Sequence, residues 1–140
     1  MKTTLTLFKK RVKAYTLTEI LVVLVIIGIL VLLALPNLMP VINRAKSVEA
    51  KTQLAHLQTL EQSYFYEHSK YSKDLNEVGF VQDKLVSDGG DGRALYRIEI
   101  TNATSSGFTA RATAVRDISG NGTFNTWEIN QDGTLKEIAQ

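Results

Sequence analysis

Apolar residues are spread unevenly along this chain, and their spacing changes three times. From Leu17 to Leu35 every position except Thr18, Glu19 and Gly28 is apolar. As a helix, this run at ~1.5 Å per residue spans roughly 28 Å, close to the ~30 Å hydrocarbon thickness of a bilayer. It predicts one membrane crossing. Beyond it, Val41, Ala45, Val48, Ala50, Leu54, Leu57, Leu60 and Tyr64 recur at three- and four-residue steps, the mark of an amphipathic helix. Its polar positions Arg44, Lys46, Glu49, Lys51 and Gln53 are expected to face solvent, and its apolar stripe needs a sheet or a neighbouring helix to cover it. Pro36 and Pro40 each remove a helix hydrogen bond, so a kink or partial unwinding is expected between the two halves.

After Tyr66 the helical spacing stops. Asp74–Gly79 reads as a single capped helical turn, with Glu77 three residues after the cap and glycine at its end. Ser87–Gly92 reads as a flexible loop; it lacks the Gly-Lys-Ser/Thr ending of a phosphate loop. From Leu95 the period becomes two. LYRIEIT (95–101) and FTARATAV (108–115) flank the turn-rich residues 102–107, and TWEIN (126–130) and TLKEI (134–138) flank Gln131-Asp132-Gly133. Both pairs read as hairpins. Tyr96, Ile98 and Ile100 share one strand face and Trp127 and Ile129 another, so a small sheet can cover the helix stripe. The expected fold is α+β: a long N-terminal α-helix packed on an antiparallel β-sheet of three or four strands. The expected divisions are a basic leader (1–14), a transmembrane and assembly helix (15–36) and an extracytoplasmic head (37–140). The head comprises helix to about residue 67, loop 68–94 and sheet 95–138.

Composition changes this picture at two points. There is no cysteine, which excludes disulfides and cysteine-based metal or redox sites. The formal charge of +2 belongs to the leader: Lys2, Lys9, Lys10, Arg11 and Lys13 lie there without an acid, leaving 11 basic residues against 14 acidic ones. A basic cluster just ahead of an apolar helix is an orientation signal that keeps the N-terminus cytoplasmic and places everything after Pro36 outside. No specific nucleic acid partner is expected, because that role needs positive charge clustered on the folded part.

Glu19 stands out, since an acid inside a transmembrane run costs on the order of 2–3 kcal/mol and normally has a partner. A cleaved secretory signal does not account for it. Such a signal has an apolar core of only ~7–15 residues and a small-residue cut site, whereas Ala34-Leu35-Pro36-Asn37 is a poor match. A plain signal anchor fits the length but leaves the acid unexplained. A chain cut between Ala14 and Tyr15 would carry a new α-amino group four residues from Glu19, about 6 Å along a helix. A neighbouring copy shifted along the axis could then bring its terminus to this carboxylate.

The order of these features, Ala14-Tyr15-Thr16-Leu17-Thr18-Glu19 followed by an apolar run, resembles the N-terminal signal of type IV pilins and type II secretion pseudopilins over residues 9 to 50. Ala14 stands where that family usually has glycine, and Tyr15 where it has phenylalanine. The resemblance implies cleavage by a prepilin peptidase between Ala14 and Tyr15, methylation of Tyr15, assembly through Glu19 and Leu17, and helix softening at Gly28, Pro36 and Pro40. The partners it implies are a homo-oligomeric helical filament, the peptidase, an inner-membrane assembly platform, other minor pilins or pseudopilins, and the lipid bilayer.

Between the hairpins, DISGNGTFNTWE places Asp117, Ser119, Asn121, Gly122, Asn125 and Glu128 at positions 1, 3, 5, 6, 9 and 12 of a calcium-loop template, with Thr123 at position 7. Only Asp117 and Glu128 are charged, so a weak Ca²⁺ site is the expectation. The competing reading is that Asp, Ser, Gly and Asn cluster because they make turns. Resemblance to G-type pseudopilins, which hold calcium in this region, supports the first. No catalytic constellation is visible: His56 and His68 are the only histidines and read as surface residues, so no enzymatic activity is expected. Asn102-Ala-Thr104 and Asn121-Gly-Thr123 match glycosylation sequons, which arise often by chance.

These features point to a structural filament subunit, with a secretion pseudopilus favoured over a type IV pilus serving adhesion, motility or DNA uptake. The alternative from another class is a membrane-anchored periplasmic binding module.

Overall fold

The computed structural model describes residues 14–140; the basic residues of the leader up to Lys13 lie outside them. The chain divides into two compact units meeting at Leu38 and Met39. In the first, the described residues from Leu17 onward are helical, and the run Leu17–Pro36 is long and apolar enough to cross a membrane. Its described residues are exposed all round. The helix, α1, is Leu17–His68 and continues through Pro36 and Pro40. The expected unwinding is absent: each proline removes only one donor, leaving the carbonyls of Leu32 and Pro36 without their i+4 partners, and the flanking turns keep theirs. The helix stops at Ser69, whose left-handed φ of 54° turns the chain while its N–H still bonds Phe65 O at 2.8 Å.

The second unit is the head. Strands β1 (Tyr96–Ala103), β2 (Phe108–Ala114), β3 (Thr126–Asn130) and β4 (Leu135–Ala139) form an antiparallel meander in the order β1-β2-β3-β4. Alternation along β1 and β2 sends Tyr96, Ile98, Ile100, Phe108, Ala110, Ala112 and Ala114 inward. The inward row of the inner strand β2 after Phe108 is all alanine, so the helix can lie close to it, with Ala50, Leu54 and Leu57 completing the core. The covered stripe differs from the spacing: Val41, Ala45 and Val48 are exposed, because at about 100° per residue they lie on the side of the helix opposite Ser47, Ala50, Leu54 and Leu57. The fold is α+β, a long helix with a four-stranded antiparallel sheet.

On the outer face, register aligns Glu99 with Arg111, Arg111 with Glu128, and Glu128 with Lys136, giving a row of alternating charge across all four strands. Opposite charges directly across a strand pair are favourable, and Arg111 Nε reaches Glu128 Oε2 at 2.8 Å.

Two side chains, one on the helix and one in the loop, secure the start of β1. Glu49 does not face solvent as expected; its Oε1 accepts the Leu95 N–H at 2.7 Å and that of Tyr96 at 3.3 Å. Gln82, in the loop, accepts the Ile98 N–H at 2.8 Å and donates to Tyr96 O at 3.2 Å. One side-chain amide thus pairs the outer edge of β1 as a neighbouring strand would. Asp74–Gly79 is one helical turn, as expected: the Val78 N–H bonds Asp74 O at 3.4 Å, Asp74 Oδ1 accepts the Asn76 N–H at 2.8 Å, and Gly79 at φ 78° ends it. Glu77 does not close a capping box, since the Asp74 N–H goes to Ser72 Oγ at 3.0 Å while Glu77 accepts from Ser72 and Tyr64.

Candidate assembly site and the C-terminal loop

The helix start is built by Thr16 and Glu19. Thr16 is the N-cap: its hydroxyl accepts the Glu19 N–H at 3.3 Å. Glu19 reaches back, its Oε2 accepting the Thr16 N–H at 2.7 Å and the Thr16 hydroxyl at 2.9 Å. This is a capping box, two first-turn donors satisfied reciprocally, with a carboxylate at the positive end of the helix dipole. Within one chain Glu19 is therefore hydrogen-bonded, but no cation is paired with it among the described residues. Both bonds fall on Oε2, however, and Oε1 makes no hydrogen bond among the described residues. The box survives a cut between Ala14 and Tyr15, because Thr16 lies beyond it, and Oε1 stays open to a cation. Tyr15 and Leu17 are exposed, at 79% and 85%. A β-carbon added at Gly28 would meet nothing within 4 Å, so nothing inside a single chain requires glycine there. Thr-x-x-Glu ahead of an apolar helix was the readable sign of this box.

The C-terminal loop places the calcium candidates differently from the template. Asp117 holds its own loop, Oδ1 accepting the Gly120 N–H and Oδ2 the Gly122 N–H, both at 2.7 Å. The Gly122 N–H, ahead of the other loop amides, holds its carboxyl below the usual range. Gly120 and Gly122 sit at φ of 74° and 81°, which the turn requires. Ser119 lies 3.5 Å from Asp117 Oδ1, and the Thr123 N–H donates to Asn121 Oδ1 at 2.8 Å. Asn121 Nδ2 reaches the Gln140 carbonyl at 2.9 Å.

The last two candidates are committed elsewhere. Glu128 is a strand residue paired with Arg111. Asn125 is buried, its Oδ1 accepting from Tyr96 OH at 2.8 Å and Trp127 Nε1 at 2.9 Å, its Nδ2 donating to Glu137 Oε1 at 2.6 Å and to Ala139 O at 3.3 Å. A calcium loop needs its final glutamate turned inward as a bidentate ligand, and strand register turns this one toward Arg111 instead. Among the described residues no group of three or more His, Cys, Asp or Glu is placed to hold a metal. The donor set does not fit Ca²⁺; Asp117 and Asn125 are a turn-former and a core bolt. His56 lies 6.0 Å from Phe80 and His68 is stacked on Tyr64, ring centroids 4.1 Å apart.

Comparison with known proteins accords with this geometry. Residues 9–35 match the prokaryotic N-terminal methylation motif. Residues 36–124 match the family described as type IV minor pilin ComP, DNA uptake sequence receptor. The type IV major pilin protein PilA of Myxococcus xanthus is 42% identical over 77 residues, which are 55% of this chain and 35% of that pilin; the chain thus spans about a third of this relative. The type IV major pilin protein PilE of Neisseria gonorrhoeae is 24% identical over 124 residues, 89% of this chain and 71% of that protein. Competence protein ComGC of Streptococcus pneumoniae is 39% identical over 90 residues, 64% of this chain and 76% of that protein. A capped apolar helix bearing the methylation motif, followed by a helix-on-sheet head matched over most of its length, has one classification: the chain belongs to the type IV pilin family.

Proposed function

We propose that this chain is processed between Ala14 and Tyr15 by a prepilin peptidase, methylated on Tyr15, held in the cytoplasmic membrane by residues 17–35 and then extracted into a filament. In that filament the Tyr15 α-amine of one subunit meets the Glu19 carboxylate of another. The observation carrying this reading is the helix start: Glu19 is fixed by Thr16 through one oxygen while the other is unbonded. An open carboxylate oxygen at the edge of an apolar rod is relieved by a cation in lipid. The basic leader orients the N-terminus toward the cytoplasm and the head outside. Gly28, Pro36 and Pro40 soften the rod for packing and extension. The role is structural, not enzymatic.

Among filament types, we favour a pilus of the surface or competence class over a secretion pseudopilus. The relatives bear pilus and competence names, and the calcium loop that favoured the pseudopilus has its donors committed elsewhere. The matched family is described as a DNA receptor, but we propose only the filament role here. With the five basic residues of the leader and Glu19 set aside, 11 basic residues face 13 acidic ones, a balance that does not attract a polyanion.

Intact-mass measurement on membrane-extracted protein tests the reading. The expected chain starts at Tyr15 and is heavier by one methyl group, and Glu19→Leu cells lack filaments. A filament-forming chain that retains Met1 through Ala14 overturns it. An intact N-terminus with full tolerance of Glu19→Leu would favour the membrane-anchored binding module.

A further inference from the structure

Glu61 is the one acid on the sheet-facing side of α1 that is fully buried, at 0% exposure, one turn after Leu57 in the core stripe. Its Oε2 accepts the Ser72 N–H at 3.1 Å, across the bend between helix and loop. Its Oε1 is buried without a hydrogen-bond partner. The charged and titratable groups around it offer no counter-ion. On its own helix, Tyr64 directs its hydroxyl to Glu77, and His68 stacks on Tyr64. From the loop, Ser72 Oγ donates to Glu77, a second acid, while Lys70, Lys73 and Asp74 are exposed. From the sheet comes Phe108, packed on Tyr71 at 5.2 Å. The ion pairs among the described residues are Lys84–Asp91 and Arg111–Glu128. A carboxylate here would be a buried anion with one hydrogen bond and no cation, which a protein relieves by taking up a proton or by moving the group to water.

We propose that Glu61 is a proton-operated latch between α1 and residues 69–80, closed while its carboxyl carries a proton and loosened when it ionises. Protonated, the carboxyl keeps its C=O on the Ser72 N–H and stays in the core. Ionised, it turns outward, frees that N–H and releases the loop at Ser72, one residue after the Tyr71 N–H bond to Thr104 O. Burial raises the carboxyl above the usual range, and the Ser72 N–H opposes this more weakly. The latch is independent of filament assembly and is readable in a single subunit.

The test is nuclear magnetic resonance on the full chain in detergent micelles, following the Glu61 carboxyl carbon and the Ser72 amide from pH 4 to 9. The Glu61 midpoint is expected above the ordinary glutamate range, with the Ser72 shift following the same curve. Protection of the Ser72 amide, corrected for intrinsic exchange, is expected to fall by up to about tenfold per pH unit between the ordinary glutamate range and that midpoint and to level off above it, since one proton is linked to opening. Glu61→Gln should hold Ser72 at its acid-side shift, and Glu77→Gln should leave the titration in place. An ordinary midpoint, a Ser72 amide that does not titrate, or loss of the titration in Glu77→Gln overturns the latch. If Glu61→Gln does not fold, the unmodified chain alone decides through its carboxyl and amide curves.

Discussion

Asn125→Ala separates a core bolt from a calcium ligand. In the folded head the Asn125 amide is the acceptor for Tyr96 OH, which is 1% exposed, and for the half-buried Trp127 indole; it also donates to Glu137 and to the β4 backbone. Removing it strands the Tyr96 hydroxyl in the core, a loss of about 1–3 kcal/mol for an unsatisfied buried donor. The bond to Glu137 is charge-assisted but partly exposed and adds about 1 kcal/mol, whereas the indole N–H can turn to water at little cost. A total near 3 kcal/mol corresponds to a fall in Tm of roughly 12–24 °C for a domain of this size. Trp127, the single tryptophan of the chain, lets fluorescence report the melting of the head in the detergent-solubilised protein. The drop should be the same with millimolar calcium and with chelator. Asn125→Asp should also destabilise at neutral pH, where the new carboxylate faces Glu137, and recover part of the loss in acid. A destabilisation below about 1 kcal/mol for Asn125→Ala, or one present only with calcium, refutes the reasoning.

Two further outcomes follow from the same packing. Gln82→Ala should cost about 2 kcal/mol, because the buried Ile98 N–H and the Tyr96 carbonyl lose the amide that pairs them; hydrogen exchange should show Ile98 losing protection ahead of Ala112 on β2, and equal loss at both would argue against edge pairing. Burial first, then the negative charges of Glu49 and Glu137, push the Tyr96 hydroxyl up to about 12, against an ordinary value near 10. The neutral form is favoured in the fold, so its contribution is complete below pH 10 and is lost as pH rises toward 12; an alkaline melt series should therefore fall in that window, and Tyr96→Phe should flatten it.

Much of the architecture was legible in spacing. The apolar run, the change from helical to alternating period at Leu95 and the Asp-Gly turn placed the helix and both hairpins within a residue or two, since local sterics and side-chain alternation set those features. The capping box at the helix start was not read from the sequence, although Thr16 and Glu19 stand three residues apart in one turn. Less legible was the destination of polar side chains. Glu49, Glu61 and Gln82 look like solvent residues by type, and each is used against backbone distant in sequence, on β1 or in the loop.

The calcium candidates show the same limit from the other side. The spacing of Asp117 through Glu128 matches a loop template, but spacing along the chain does not state which face of a strand Glu128 occupies or what stands across from it. By itself the sequence determined the long apolar helix, the N-terminal methylation motif, the hairpins and the fold class, because these follow from short-range periodicity and composition. Only the tertiary structure decided that Glu128 belongs to Arg111, that Asn125 bolts Tyr96 to the C-terminal hairpin, and that Glu61 is enclosed without a counter-ion. Those outcomes depend on sheet register and helix placement, which bring together groups far apart in the chain and take away the water that would otherwise satisfy them.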